Sequence, residues 1–385
     1  MGIRDMLKRE DFYTILRNTI IEYARVVMRM EVRCEYTSFE GSEPWVVNSL
    51  LGFVSRVPMP CGLRIYMKSE YNVRGNFLKN LIGKAAVALI SIFPRVGVSR
   101  IIYVSSGVFE STVFIVPQNR SIRFYDYGKM SVDCIVKSGF TSKYFDNQAS
   151  FRKAYQYDFL NPMLKQGKGW FQEPVLLGHP LVRTTDNVLF AKGIEDALRY
   201  LKRLATDTLV WKPFKEYVGG LKEEALIKID KAMREKSIVE AKDTIELINT
   251  AVSLAQTDEN DIPTCLSHGD FQSGNIWMRP TGETLIYDWE TAGRRSIWYD
   301  CATLTFSLRR SYGWKSLLYA RDSAGLCKCL PDNVNAKRCM TSIIGILLLE
   351  DILFYLDDML ELPETWGNED FDRFICNIKG LNWSV

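Results

Sequence analysis

Apolar positions along the chain change period several times, and each change predicts an element. From Asp11 to Met30, Phe12, Ile15, Leu16, Ile20 and Val27 recur among charges at helical spacing. Glu43-Pro44 breaks that pattern. Beyond the break, Trp45–Val54 predicts a second helix and Cys61-Gly62-Leu63-Arg64-Ile65-Tyr66 a strand. Asn76–Phe93 predicts an amphipathic helix with Lys79 and Lys84 near its start, stopped by Pro94. From Arg100 the period shortens to two. Strands are predicted at Arg100–Val104, Ser111–Val116, Ile122–Tyr127 and Val132–Lys137, then a helix at Asn147–Leu160. Pro174–His179 and Leu181–Thr184 predict further extended chain, with His179 as a structural histidine.

From Gly193 the period returns to 3.6, carried first by Ile194, Ala197, Leu198, Leu201 and Leu204. Helices follow at Lys212–Val218, Glu223–Glu235 and Ile238–Leu254, with Asp258–Pro263 as a polar connector. Beyond residue 300 the pattern predicts helices at Ala302–Leu308, Ser316–Tyr319, Ser342–Leu360 and Asp370–Ile378.

Between these helical tracts lies the stretch that carries chemistry, Ser267 to Asp300. Asp270 sits on a His268-Gly269 turn, Asn275 follows five residues later, and Asp288 comes after the Thr281-Gly282 turn and the apolar run Leu285-Ile286-Tyr287. A carboxylate, a carboxamide, a strand and a second carboxylate, in that order, suit phosphoryl transfer. One carboxylate orients an attacking hydroxyl and takes its proton; the carboxamide and second carboxylate offer oxygens to Mg²⁺. An incidental turn with surface acids is the bland alternative, and two linked motifs across a strand weigh against it.

His268-Gly269-Asp270…Asn275, then Asp288-Trp289-Glu290 and Tyr299-Asp300, resembles the aminoglycoside phosphotransferase and choline kinase family. The close match runs over Ser267–Asp300 and a looser one over residues 100–310. The resemblance implies an α+β, bilobal protein kinase-like fold. A small β-rich N-lobe would occupy 99–185 and a larger helical C-lobe 186–385, with residues 1–98 an N-terminal extension of unknown role. It implies Asp270 as catalytic base, and Asn275 and Asp288 as metal ligands. His268 would brace the loop, Asp300 would anchor its N–H groups, and Glu290 would reach a second ion or the substrate. Lys137, with Lys129 and Lys143 as competitors, would neutralise the donor's phosphates, with Ser106-Gly107 as the bend approaching them and residues 181–187 near the adenine. The family's helix glutamate, partner of that lysine, is missing from Asn147–Leu160; Gln148 stands about where it is expected, flanked by Asp146 and Asp158.

The implied activity is Mg²⁺-dependent transfer of the γ-phosphate of ATP or GTP to a hydroxyl of a small molecule, sugar or glycan. Two alternatives stay open. One is an inactive nucleotide-binding scaffold, which the missing glutamate favours. The other is a protein kinase, which the H-G-D form and the lack of A-P-E disfavour.

Charge and cysteine content refine this picture little. Net charge is +3 over 385 residues, so there is no global nucleic-acid signal. Residues 1–185 hold 25 Lys+Arg against 15 Asp+Glu, and the remainder 24 against 31. The basic half suits phosphates or an anionic membrane; Asn76–Phe93 fits either a membrane surface or a core. Nine scattered cysteines and two histidines give no zinc spacing and no disulfide framework. The expected location is the cytoplasm, with contact at the inner face of a membrane as a further option.

Overall fold

The computed structural model describes residues 3–70, 77–236, 241–320, 324–332, 334, 339–362 and 369–383. It divides into two compact units. The first comprises Met1–Gly193 with Ile276–Tyr287, and the second Ile194–Asn275 with Asp288–Val385.

The first unit is built on a nine-stranded sheet. Its chain runs α1 (Ile3–Arg9), α2 (Phe12–Tyr23), β1 (Cys34–Glu35), β2 (Ser42–Asn48), β3 (Phe53–Arg56), α3 (Cys61–Glu70), α4 (Phe77–Ile92), β4 (Val98–Ser105), β5 (Val113–Pro117), β6 (Ser121–Asp126), β7 (Ser131–Val136), α5 (Lys143–Ala154), β8 (Lys165–Gly167), β9 (Trp170–Pro174) and β10 (His179–Pro180). The strand order is β1-β4-β2-β3-β5-β6-β7-β9-β8, antiparallel throughout. Alternation along the strands splits the core in two. Val113, Ile115, Ile122, Phe124 and Ile135 face α1 and α2. Phe114, Val116, Tyr125, Val132 and Cys134 face α3, α4 and Phe145 of α5. With helices on both faces, β5 is buried at every position.

Two elements expected from the sequence take the other form. Trp45–Val54 is not a helix: it holds most of β2 and the start of β3, paired from Trp45↔Arg56 to Asn48↔Phe53. The Asn48 carboxamide accepts from Leu50 N and Leu51 N, which turns the chain, and β-branched Val46 and Val47 favour the strand. Cys61–Tyr66 is not a strand but the first part of α3. The six-residue window alternates, whereas the full ten place Leu63 and Met67 in the core four apart. Residues 1–98 also supply β1, β2, β3 and the start of β4 to the common sheet.

The remaining elements are α6 (Asn187–Thr208), β11 (Val210–Lys212), α7 (Phe214–Lys236), α8 (Ala241–Ala255), β12 (Ile262–Ser267), β13 (Ile276–Met278), β14 (Thr284–Ile286), β15 (Gly293–Ser296), α9 (Tyr299–Thr305), α10 (Gly313–Leu318), α11 (Ala324–Cys327), α12 (Met340–Glu361) and α13 (Glu369–Lys379). Helix α7 runs on through Gly219-Gly220, merging two helices expected as separate. The start of the Ile238–Leu254 helix lies outside the described residues. In the second unit α12 is the buried axis, packed on α7 and α8. Gly345 permits this: a Cβ there would sit 2.5 Å from the carbonyl oxygen of Ala251. A small sheet, β11-β12-β15, lies in the same unit, while β10-β13-β14 belongs to the first.

Candidate active site

Strand β12 is the middle strand of its sheet and ends at Ser267, so the loop beginning at His268 leaves a fixed point. Asp300, in the first turn of α9, accepts hydrogen bonds from Ser267 Oγ (2.9 Å), His268 N (2.6 Å) and Gly269 N (3.0 Å). Three donors to one buried carboxylate make this anchor strong. Gly269 has φ of 86°, and a Cβ there would fall 2.5 Å from Thr291 O, so glycine is required. His268 is wholly buried. Its ring lies 4.6 Å from that of Trp289, and its Nδ1 accepts from Asp270 N at 3.3 Å. It braces the loop and does not face solvent.

Asp270 therefore emerges at a defined place, with its side chain 24% exposed. Gln272 Nε2 donates to its Oδ2 at 2.9 Å, and Asn275 Nδ2 donates to both its carbonyl oxygen (2.8 Å) and Oδ2 (3.1 Å). With the Asn275 nitrogen committed to Asp270, its amide oxygen is the atom left for a cation. The β13–β14 hairpin places the second carboxylate. Ile276 pairs with Ile286, so Asn275 and Asp288 leave the same end of one ladder. Asp288 has φ of 69° and ψ of 52°, a left-handed conformation that costs an L-residue energy and recurs at functional sites. Both Asp288 and Glu290 are partly exposed.

Among the described residues no group of three or more His, Cys, Asp or Glu side chains gathers as a metal cage. Mg²⁺ does not need one: it is bound by one or two carboxylates together with substrate phosphates and water. The Asn275 amide oxygen and the Asp288 carboxylate are ligand types that fit that requirement.

One residue of this site had no signal in the sequence. Arg309 Nε donates to Asp270 Oδ1 at 3.0 Å, and its Nη2 donates to Gly269 O (2.9 Å) and Tyr299 Oη (2.8 Å). Its Nη1 pairs with Asp351, which is fully buried on α12 and also accepts from Tyr299 Oη and Trp314 Nε1. Burial opposes the charge on Arg309, but Asp351, Tyr299, Tyr355 and Asp270 outweigh it and hold the guanidinium well above its ordinary pKa. A basic pair, Arg309-Arg310, after a short helix carries no period or motif that would single it out.

Two places in the first unit were expected to meet the donor's phosphates, Ser106-Gly107 and Lys137. Ser106-Gly107 does not bend a hairpin, because β4 pairs with β1 and β2 while β5 pairs with β3 and β6. The Lys137 side chain is fully buried, with Nζ 2.6 Å from Glu10 and 3.6 Å from Met6 Sδ. It therefore faces α1, on the side of the sheet opposite Tyr125 and Cys134. Burial pulls its pKa down and Glu10 pushes back. Its carboxylate partner thus comes from the end of α1, not from Gln148 or the flanking aspartates. Gln148 is buried on α5. The charge α5 buries is Arg152, paired with Glu173 of β9 at 3.0 Å.

The opposite face of the same sheet bounds a cleft of about 540 Å³, including its mouth. Tyr66, Tyr125, Tyr127, Trp277 and Tyr287 give it aromatic walls; Arg123 and Glu173 supply its charge. His179 stands apart, its Nε2 3.1 Å from Thr184 Oγ1.

Residues 191–326 match the model of the phosphotransferase enzyme family. That stretch contains the Ser267–Asp300 loop, both carboxylates and Arg309. No curated protein matches the chain. Among solved structures it is similar to an ethanolamine kinase from Plasmodium vivax, at 12% identity over 80% of this chain and 90% of that one, with a TM-score of 0.46. It is also similar to an aminoglycoside phosphotransferase, APH(4)-Ia, in a ternary complex with AMP-PNP and hygromycin B (13%; 72% and 97%; 0.45). A third is the choline kinase LicA from Streptococcus pneumoniae (10%; 71% and 90%; 0.41).

Proposed function

We propose that this protein transfers the γ-phosphate of a nucleoside triphosphate, ATP or GTP, to a hydroxyl of a small molecule, sugar or glycan. The observation that carries the reading is Asp270: a partly exposed carboxylate on a loop pinned by Asp300, touching Asn275, which flanks the same hairpin end as Asp288. In this reading Asp270 accepts a hydrogen bond from the acceptor hydroxyl, orients it, and takes its proton late in transfer. Asn275 and Asp288 hold Mg²⁺, which neutralises charge on the donor's phosphates when bound. His268 and Asp300 fix the loop without touching the reactants. Glu290 is assigned to the acceptor or a second ion.

We assign the cation for the donor's phosphates to Arg123 rather than Lys137. Arg123 lines the aromatic cleft and keeps its side chain 17% exposed beside Glu173 at 3.7 Å, whereas the Lys137 side chain is sealed against Glu10 at 2.6 Å. An inactive nucleotide-binding scaffold is the competing reading, favoured by that sealing of Lys137; the closed Asp270–Asn275 contact favours catalysis. Thermal shift separates the parts. ATP with magnesium is expected to raise the melting temperature of the wild type. Asp288→Ala is expected to lose the magnesium-dependent part, and Arg123→Met to need about tenfold more nucleotide, the loss of one charge-assisted contact. Unchanged responses in both variants overturn these assignments.

A further inference from the structure

Helix α4 exposes an apolar face that the proposed chemistry does not use. Leu78, Leu81, Ile82, Leu89, Ile92 and the adjacent Phe93 are between 45% and 69% exposed. Their spacing of three, one, seven and three puts the five helical positions on one side of the 16-residue helix. The other side, Val87 and Ile90, is buried in the core that covers the sheet. A helix apolar on both sides is ordinarily enclosed. Here, among the described residues, one side has no cover, and apolar patches of this kind mark interaction surfaces.

Length and charge decide the occupant. At about 1.5 Å per residue the helix is roughly 24 Å long, too short to cross a bilayer; no helix among the described residues is long and apolar enough to do so. Between Val57 and Phe109 the sole acidic residue in the sequence is Glu70. Arg64 and Lys68 on α3, Lys84 on α4, and Arg95 just beyond it are all exposed. A greasy face on a segment whose described exposed charges, Arg64, Lys68, Lys84 and Arg95, are all positive matches the surface of an anionic bilayer, where the apolar side chains enter the acyl boundary and the cations meet headgroups. A second copy of this basic face meets like charge, and a neutral protein groove leaves the cations without partners.

We infer that α4 docks this protein peripherally on anionic membranes, lying in the plane of the interface. The Asn76 end of the helix expected from the sequence lies outside the described residues. The docking claim stands independently of the catalytic reading. Its test is sedimentation of the full chain with phosphatidylcholine vesicles, with and without phosphatidylserine. The wild type is expected to bind the phosphatidylserine vesicles and to release at high salt. The triple variant Leu81→Gln, Ile82→Gln, Ile92→Gln removes exposed side chains only, so its melting temperature is expected to hold while its vesicle affinity falls by at least about a hundredfold. Lys84→Glu is expected to weaken binding by at least about fivefold, since each cation near such a surface is worth ~1 kcal/mol. The inference is overturned if the wild type stays in the supernatant with phosphatidylserine present, or if the triple variant sediments equally. It is also overturned if sedimentation velocity shows a wild-type dimer that the triple variant abolishes.

Discussion

Two ion pairs, one in each unit, show how the fold treats charge differently. Lys137–Glu10 is sealed, with side chains 0% and 1% exposed. Arg309–Asp270 is graded: its arginine is 10% exposed and its aspartate 24%. In the first pair both charges exhaust themselves on the fold. In the second, Asp351 on α12 balances the arginine from behind, so Asp270 is oriented but stays reachable. A charged side chain is available for chemistry only if its partner has a second counter-charge and leaves it an open side. By that criterion the Lys137 side chain is held by its pair, while the Asp270 side chain keeps an accessible side.

The largest expected effect breaks the sealed pair. Lys137→Met strands the Glu10 carboxylate in the core and is expected to cost about 3–5 kcal/mol, read by urea denaturation, while the double change with Glu10→Met regains most of it. Loss of nucleotide binding without loss of stability in Lys137→Met contradicts the contrast. Next comes the graded pair. Arg309→Lys keeps the charge but cannot span Asp270, Gly269, Tyr299 and Asp351 together. Turnover is expected to fall about a hundredfold at little change in the acceptor KM, an effect of orientation.

The smallest effect lies in another buried acid of the second unit. Glu350 accepts from Tyr217 and Ser296. Burial, only partly opposed by those hydrogen bonds and by Arg295, raises its pKa to about 7. The folded state therefore holds a proton that the unfolded state releases near 4.5. Stability is expected to decline as pH rises from about 4.5 to 7, by on the order of 1–3 kcal/mol, with Glu350→Gln flattening that slope. Thermal melts across this range check it; an identical slope in both proteins removes Glu350 as the source.

The helical tract was readable because α6 and α8 each bury a stripe with a 3.6-residue period and α12 is a long apolar run, buried at every position from Ser342 to Leu353; the Ser267–Asp300 loop was readable because phosphoryl-transfer motifs fix both residue types and gaps. The first unit was harder. A sheet covered on both faces turns β5 into a continuous apolar run, and alternation cannot reveal that β2, β3 and β4 join it. Trp45–Val54 reads as a helix because apolar residues fill every phase, and the Asn48 turn within it is a side-chain event. Glu10 and Arg309 meet Lys137 and Asp270 from 127 and 39 residues away. Such pairings are set by packing, which leaves no local pattern to read.

Phosphate transfer from γ-labelled ATP in the presence of magnesium, over a panel of soluble alcohols, sugars and glycans, addresses the role of Asp270 most directly. Wild type and Asp270→Asn are compared at equal thermal stability. At least one acceptor is expected to be phosphorylated by the wild type, with turnover reduced about a thousandfold or more in Asp270→Asn. Equal transfer by the two proteins contradicts the assignment.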